Sequence, residues 1–274
     1  MKVVLILLAV ICLGKIKCSE EKIPQSFNFS DSEIQYSDSN FTSLNDNILA
    51  VIENDSLNLG NITGPLTSCP RAFGVEGIFE ITVPGLDPFP VLCNAQIAGA
   101  GYIVIASRSN AELNFFRDWA TYKEGFGDLL GDFFIGLDKL HAITKSQSYE
   151  LYVHLEDFEG NTRFARYDEF YIENEHESYK MSKLGTYTGN AGDSLDYHRG
   201  QKFSTYDGEN NCAIGKSGAW WYKNCQNSNL FGQYYGGEFD SKLGYSGMNW
   251  DHWRGGYYSY KSIKMMVRPR CTCS

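Results

Sequence analysis

The 274-residue chain reads as an α+β fold, with regular elements early and a stapled, loop-rich, aromatic region late. Three observations predict this. Tyr149 to Glu156 alternates, placing Tyr149, Leu151, Val153 and Leu155 on one face, which is the period of a half-buried strand. Asn114 to Tyr122 instead sets Phe115, Phe116, Trp119 and Tyr122 at helical spacing. From about Gly185 to Gly256 both periods fade into Gly, Asn, Ser and aromatic residues. Four of the five tryptophans and nine of the eighteen tyrosines fall between Tyr197 and Tyr260, so the aromatic residues mark one specialised region.

In chain order, MKVVLILLAVICLG places one lysine ahead of an apolar run from Val3 to Leu13. The run is shorter than the about 20 residues a membrane span needs. It has the two leading parts of a secretory signal peptide, so residues 1–18 are expected to be cleaved and the protein to be extracellular. No later segment is apolar enough to insert in a membrane. Residues 19–68 hold eight acidic side chains, a single lysine and sequons at Asn28, Asn40, Asn54 and Asn61. Asn-linked sugar needs accessible backbone, so this segment reads as an acidic, glycosylated stalk. One short helix fits from Thr42 to Glu53; no heptad or collagen repeat precedes the domain. Residues 69–270 have the size of one domain, and 271–274 form a Cys-containing tail. Within the domain, Glu159-Gly160-Asn161 is a hairpin turn after the alternating strand. Ile263, Met265 and Val267 alternate again before Pro269.

Secretion places the cysteines where disulfides persist. Cys69 and Cys93 bracket a short extended region, and Cys212 and Cys225 bracket a Gly-rich loop. Closing loops of this size stabilises by about 3 kcal/mol each in the chain-entropy model. Cys271 and Cys273 have three options: each other, Cys18, or another chain, the last giving a disulfide-linked homo-oligomer. The net charge of −9 leaves no basic patch, which excludes nucleic acid and polybasic membrane attachment.

Several catalytic signals fail on inspection. GENNCAIGKS (208–217) has six residues between Gly208 and Gly215 where a phosphate-binding loop needs four. GFGDLLG (125–131) misses the dinucleotide spacing, and GYSGM (244–248) lacks the last glycine of a nucleophile elbow. The five histidines have no metal-ligand spacing. Asp193, Ser194 and His198 are too close in sequence for a triad, whose members converge from distant segments, so His198 is expected to make structural hydrogen bonds. The stretch Asn211 to Gly232 contains no histidine or carboxylate, and its only ionised side chains are Lys216 and Lys223. Acid–base catalysis is therefore not expected, and the chain does not read as an enzyme. Most aromatics of this region serve packing; the others suit a shallow pocket for sugars or acetyl groups, where rings stack on C–H surfaces and amides supply hydrogen bonds.

Five blocks run in the order of a known family: NFFRDWATYKEGFGDLLGDFFIG (114–136), YELYVHLEDFEGNTRFARYDEF (149–170), AGDSLDYHRGQKFSTYD (191–207), NCAIGKSGAWWYKNCQNSNLFGQYYGG (211–237) and MNWDHWRGGYYSYKSIKMMVRP (248–269). From Cys69 to Pro269 the chain closely resembles the fibrinogen C-terminal domain of fibrinogens, ficolins, tachylectins and angiopoietin-like proteins. The resemblance implies the disulfides Cys69–Cys93 and Cys212–Cys225, an extended-sheet core, a loop-rich C-terminal binding subdomain, and Trp220 and Trp221 in the core. It also implies a cis peptide at Asn224–Cys225. Calcium is implied at Asp207 and Glu209, but the loop before Cys212 is shortened. Two carboxylates fall short of the six to eight oxygens calcium takes, which leaves a weak site. In the acetyl-recognising pocket of lectin-like members, Lys216 and Gln226 stand where a tyrosine and a histidine are common, and Gly256 where an aromatic is. Tyr245 supplies the remaining tyrosine. The expected ligand surface is Lys216, Asn224, Cys225 through its N–H, Gln226 and Tyr245. The expected function is lectin-like glycan recognition in innate immune defence; the alternative is a signalling or adhesion ligand for a cell-surface receptor.

Overall fold

A computed structural model describes residues 65–71 and 74–270. The signal peptide, the four sequons, the short helix expected over 42–53 and the terminal cysteines lie outside the described residues.

Among the described residues, fourteen strands and four α-helices follow in chain order. β1 (Gly77–Ile81), β2 (Phe89–Asn94) and β3 (Tyr102–Arg108) lead to α1 (Trp119–Glu124) and the short pair β4 (Phe126–Gly127) and β5 (Phe133–Phe134). α2 (Leu137–Ser146), β6 (Tyr149–Glu156), β7 (Thr162–Ile172), β8 (Met181–Leu184) and β9 (Tyr187–Gly189) come next. The last third holds α3 (Asn211–Gly215), β10 (Ser228–Asn229), β11 (Gly237–Glu238), β12 (Asn249–Trp250), α4 (Asp251–Arg254), β13 (Tyr258–Ser259) and β14 (Ser262–Pro269). Ten strands form one sheet with the order β1-β2-β3-β14-β6-β7-β8, to which β4, β5 and β9 attach. Every pairing is antiparallel in this sheet. The last strand, β14, sits at its centre, paired with β3 on one side and β6 on the other.

The alternation over 149–156 is β6, with Leu151, Val153 and Leu155 fully buried, and it turns at Gly160 into β7. The alternation over 263–267 is β14, where Met266 is buried as well because a strand central in a sheet is covered on both faces. The helix expected over 114–122 begins only at Trp119. Asn114 Oδ1 accepts the Phe116 N–H, a local turn that competes with the helix, and the Asp118 side chain caps α1 by accepting the Thr121 N–H at 2.9 Å. Phe115 and Tyr122 still reach the core together, joined by the Tyr122 hydroxyl donating to Phe115 O.

Both expected disulfides are formed, Cys69–Cys93 and Cys212–Cys225, with Cα atoms 5.6 and 5.4 Å apart. The sheet is tied to the region after Gly185 by Arg108, which is buried at the end of β3. Its guanidinium donates to Leu230 O at 2.9 Å and Gly232 O at 2.6 Å and lies 4.2 Å from the centre of the Phe115 ring. Burial pushes its pKa down to about 10.

Candidate ligand-binding site

The loop-rich region has few ladders, so side chains must satisfy its backbone. Asn210 caps α3 by accepting the Cys212 N–H at 2.9 Å, and Lys216 N–H closes the turn on Cys212 O at 2.8 Å. Trp220 and Trp221 are fully buried, as the resemblance implies; the Trp221 indole N–H donates to Tyr179 O. His198, also fully buried, organises the chain after the second disulfide. Its Nδ1 donates to Trp221 O at 2.7 Å, and its Nε2 accepts the Asn227 and Ser228 N–H groups, each at 3.2 Å. Burial pushes its pKa down to about 4, against the Trp221 carbonyl, which favours the charged ring, and with the nearby Lys223 charge. Asp193, Ser194 and His198 form no triad: Asp193 accepts the Tyr167 hydroxyl, and Ser194 pairs with His252 Nδ1 at 2.9 Å rather than with His198.

Three of the five expected ligand residues come together. Gln226 Nε2 donates to Tyr245 O, and Lys216 Nζ lies 5.5 Å from the centre of the Tyr245 ring. Tyr245 stacks on Tyr257 with ring centres 4.5 Å apart. Asn249, buried and unnoticed in the sequence, holds this corner by donating to Tyr245 O and Gly256 O. The glycine at 256 has a steric reason. A Cβ there would lie 2.0 Å from Tyr245 Cδ1, so the Tyr245 ring fills the space next to it that a side chain at 256 would need.

Asn224 and Cys225 flank this cluster on the disulfide side. Asn224 O accepts the Tyr197 hydroxyl at 3.0 Å, and Lys223 Nζ lies over the Tyr197 ring. The expected cis peptide at Asn224–Cys225 is absent: every described peptide bond is trans. The trans form is favoured by about 3–4 kcal/mol for a non-proline residue, and Lys223 N–H donates to Cys225 O within the same turn. The Cys225 N–H has no acceptor among the described residues. Beside it, Gln226 Oε1 is a buried acceptor with no partner. A free donor and a free acceptor thus adjoin a lysine and a tyrosine.

Asp207 and Glu209 were the candidate calcium ligands. Asp207 accepts the Trp119 N–H with both carboxylate oxygens, at 3.0 and 3.2 Å, and the Thr205 hydroxyl at 2.6 Å. Glu209 is exposed, and no group of three or more metal-ligating acids, histidines or cysteines occurs among the described residues. These residues do not fit a calcium ion, because the one well-placed carboxylate already serves donors of α1 and of its own loop.

An antiparallel sheet joined to a disulfide-stapled, loop-rich region is consistent with a recognition domain. The chain belongs to the fibrinogen family: residues 74–270 match the model of the C-terminal globular domain of fibrinogen beta and gamma chains. It is similar to microfibril-associated glycoprotein 4 of Bos taurus, 42% identical over 210 residues covering 72% of this chain and 81% of that protein. Among solved structures, the fibrinogen-like globe domain of human ANGPTL2 superposes with a TM-score of 0.72 at 37% identity, over 76% of this chain and all of that one. A lamprey fibrin D-dimer complexed with the peptide ligand Gly-His-Arg-Pro-amide gives 0.69 at 26% identity, over 86% of this chain and 88% of that one. Among the described residues no helix is long and apolar enough to cross a membrane.

Proposed function

We propose that this is a secreted, non-catalytic recognition protein whose Lys216–Gln226–Tyr245 corner binds glycans, in the manner of a lectin of innate defence. The observation that carries the reading is the meeting of Lys216, Gln226 and the exposed Tyr245 ring next to the unpaired Cys225 N–H. The Lys216 ammonium and the Cys225 N–H are the donors a ligand can meet there, each hydrogen bond being worth about 1–3 kcal/mol. Lys216 adds a cation with no carboxylate partner among the described residues, so the preferred glycans carry an acidic group. Single sugar sites are weak, and joining several domains through Cys18, Cys271 or Cys273 raises avidity by about 10²–10⁴-fold. Recognition proceeds without calcium, in line with the commitments of Asp207.

The test is binding of the purified secreted protein to a broad glycan array, with calcium and then with EDTA. Acidic glycans are retained in both, and Lys216→Glu or Gln226→Ala weakens them by about tenfold, the worth of one hydrogen bond to a charged group. Unchanged binding by both variants overturns the assignment. A second reading, a ligand for a cell-surface receptor, is favoured by the exposed Leu243, Tyr245 and Tyr257 beside this corner. Silence on every glycan from folded protein, with saturable binding to cells, selects it.

A further inference from the structure

A second polar cleft lies away from the disulfide, between the β6–β7 turn, the start of β7, the residue after β9 and α4. Its volume is about 650 Å³, and Asn161, Thr162, Arg163, Asn190, Trp253 and Arg254 line it. Two arginines approach one indole. Arg163 Cζ lies 5.1 Å and Arg254 Cζ 5.8 Å from the Trp253 ring centre, and Tyr260 backs the ring at 5.1 Å.

The two guanidiniums differ in their partners. Arg254 is anchored by the buried Asp157 and by Glu159. Arg163 makes no ion pair among the described residues; it donates only to Asn190 O, at 3.3 Å. The amides around it are oriented by their backbone bonds. Asn190 Oδ1 accepts the Phe164 N–H at 2.8 Å, which turns its NH2 group outward as a donor. Asn161 Nδ2 donates to Asp157, which leaves its Oδ1 as an acceptor. A fixed donor and a fixed acceptor on either side of one uncompensated guanidinium match the hydroxyls and the single acidic substituent of a sugar ring.

We propose that this cleft is a second carbohydrate site, specific for saccharides that carry a carboxylate or a sulfate, with Arg163 as the anion-binding residue. Its four charges sum to zero, so selectivity comes from the placement of Arg163 rather than from a long-range field. Polyanions that need several cations, such as nucleic acids, are therefore excluded. The site is independent of the Lys216–Gln226–Tyr245 corner and stands whether or not that corner binds sugar.

The experiment follows the Trp253 indole N–H signal by NMR while the full secreted chain is titrated with three probes. These are a chondroitin sulfate tetrasaccharide, a galacturonate trisaccharide and neutral maltotriose. The expected result is a saturable shift with one or both acidic probes and none with maltotriose; which acidic probe acts tells sulfate from carboxylate. Arg163→Gln should weaken the acidic probe by about tenfold, the worth of a charge-assisted hydrogen-bonding pair, with Arg163→Lys in between. Arg163 is exposed, so both variants should keep the far-UV spectrum of the parent. No Trp253 shift with any probe, an equal response to maltotriose, or full binding by Arg163→Gln overturns the proposal. Loss of the shift in Lys216→Glu also overturns it, by placing the ligand in the other corner.

Discussion

The sheet and the region after Gly185 stabilise themselves by different means. In the sheet, β3, β14, β6 and β7 pair through backbone ladders, and their inward side chains are apolar. Between Gly185 and Tyr260 the strands are only two or three residues long, and buried polar side chains take over the work of the ladders. His198 holds Asn227 and Ser228, Asn229 joins Tyr222 to Lys216 O, Asn249 holds Tyr245 and Gly256, and Arg108 holds Leu230 and Gly232. A ladder spreads its hydrogen bonds over many residues that any side chain permits. A buried amide or imidazole concentrates several in one side chain. The loop region can thus take irregular, ligand-presenting shapes, and it depends on a few identities.

The sharpest way to break this contrast is at the seam between the two regions, where Asp157 of the β6–β7 turn is fully buried and receives the Arg254 guanidinium and the Glu159 and Asn161 N–H groups. Asp157→Ala leaves the Glu159 and Asn161 N–H groups without their acceptor and Arg254 with Glu159 alone, and should cost about 3 kcal/mol by urea denaturation. A loss under about 1 kcal/mol, the net worth of an ordinary hydrogen bond, would show that no single polar group is decisive there.

The next largest effect is acid sensitivity through His198. Its folded pKa, near 4, lies below the usual 6.5, so the unfolded chain binds the extra proton between these values. The stability it contributes is complete above pH 6.5 and falls progressively as pH drops toward 4, by about 3 kcal/mol in all. Urea midpoints at pH 7.5, 6, 5 and 4 read this directly, and His198→Gln should flatten the slope in that window. Asp157 acts lower. Burial pushes its carboxyl up, but Arg254 and Asn161 outweigh that and hold it at about 2, so its share is lost only as pH falls below the usual 3.8. An unaltered slope in His198→Gln would assign the acid loss to carboxylates instead.

The smallest expected effect sharpens the comparison at the loop of 205–212. That loop is held to α1 by Asp207, so on the proposed calcium-free reading millimolar calcium in place of EDTA should leave the melting temperature unchanged, since a species that does not bind the native state cannot stabilise it. A clear calcium-dependent rise would show that Asp207 exchanges its hydrogen bonds for a cation.

Much of the sheet was legible in the chain. A strand buried on one face repeats every two residues, and the runs at 149–156 and 263–267 show that repeat openly. The hairpin turn and both disulfide pairs were legible too. The start of α1 was not, because aromatic spacing over 114–122 reports which residues are buried without telling a helix from an extended segment held by Asn114. At the candidate site, the sequence names Lys216, Gln226 and Tyr245, which do meet in space, while the hydrogen bonds of Asn249, those of His198 to 227–228, and the cleft at Arg163 were not legible. Their partners lie from four to more than fifty residues away, and no local pattern marks them.

By itself the sequence determined the class of fold, the strands at its centre and the two staples, because periodicity and loop closure are local properties of a chain. Only the tertiary structure decided that Gly256 is empty so that Tyr245 can fill its place, that Ser194 answers to His252 and that Asp207 serves Trp119. Each of these is a meeting of segments far apart in sequence. Steric exclusion and hydrogen bonding act through distances in space, and those exist only once the chain has folded.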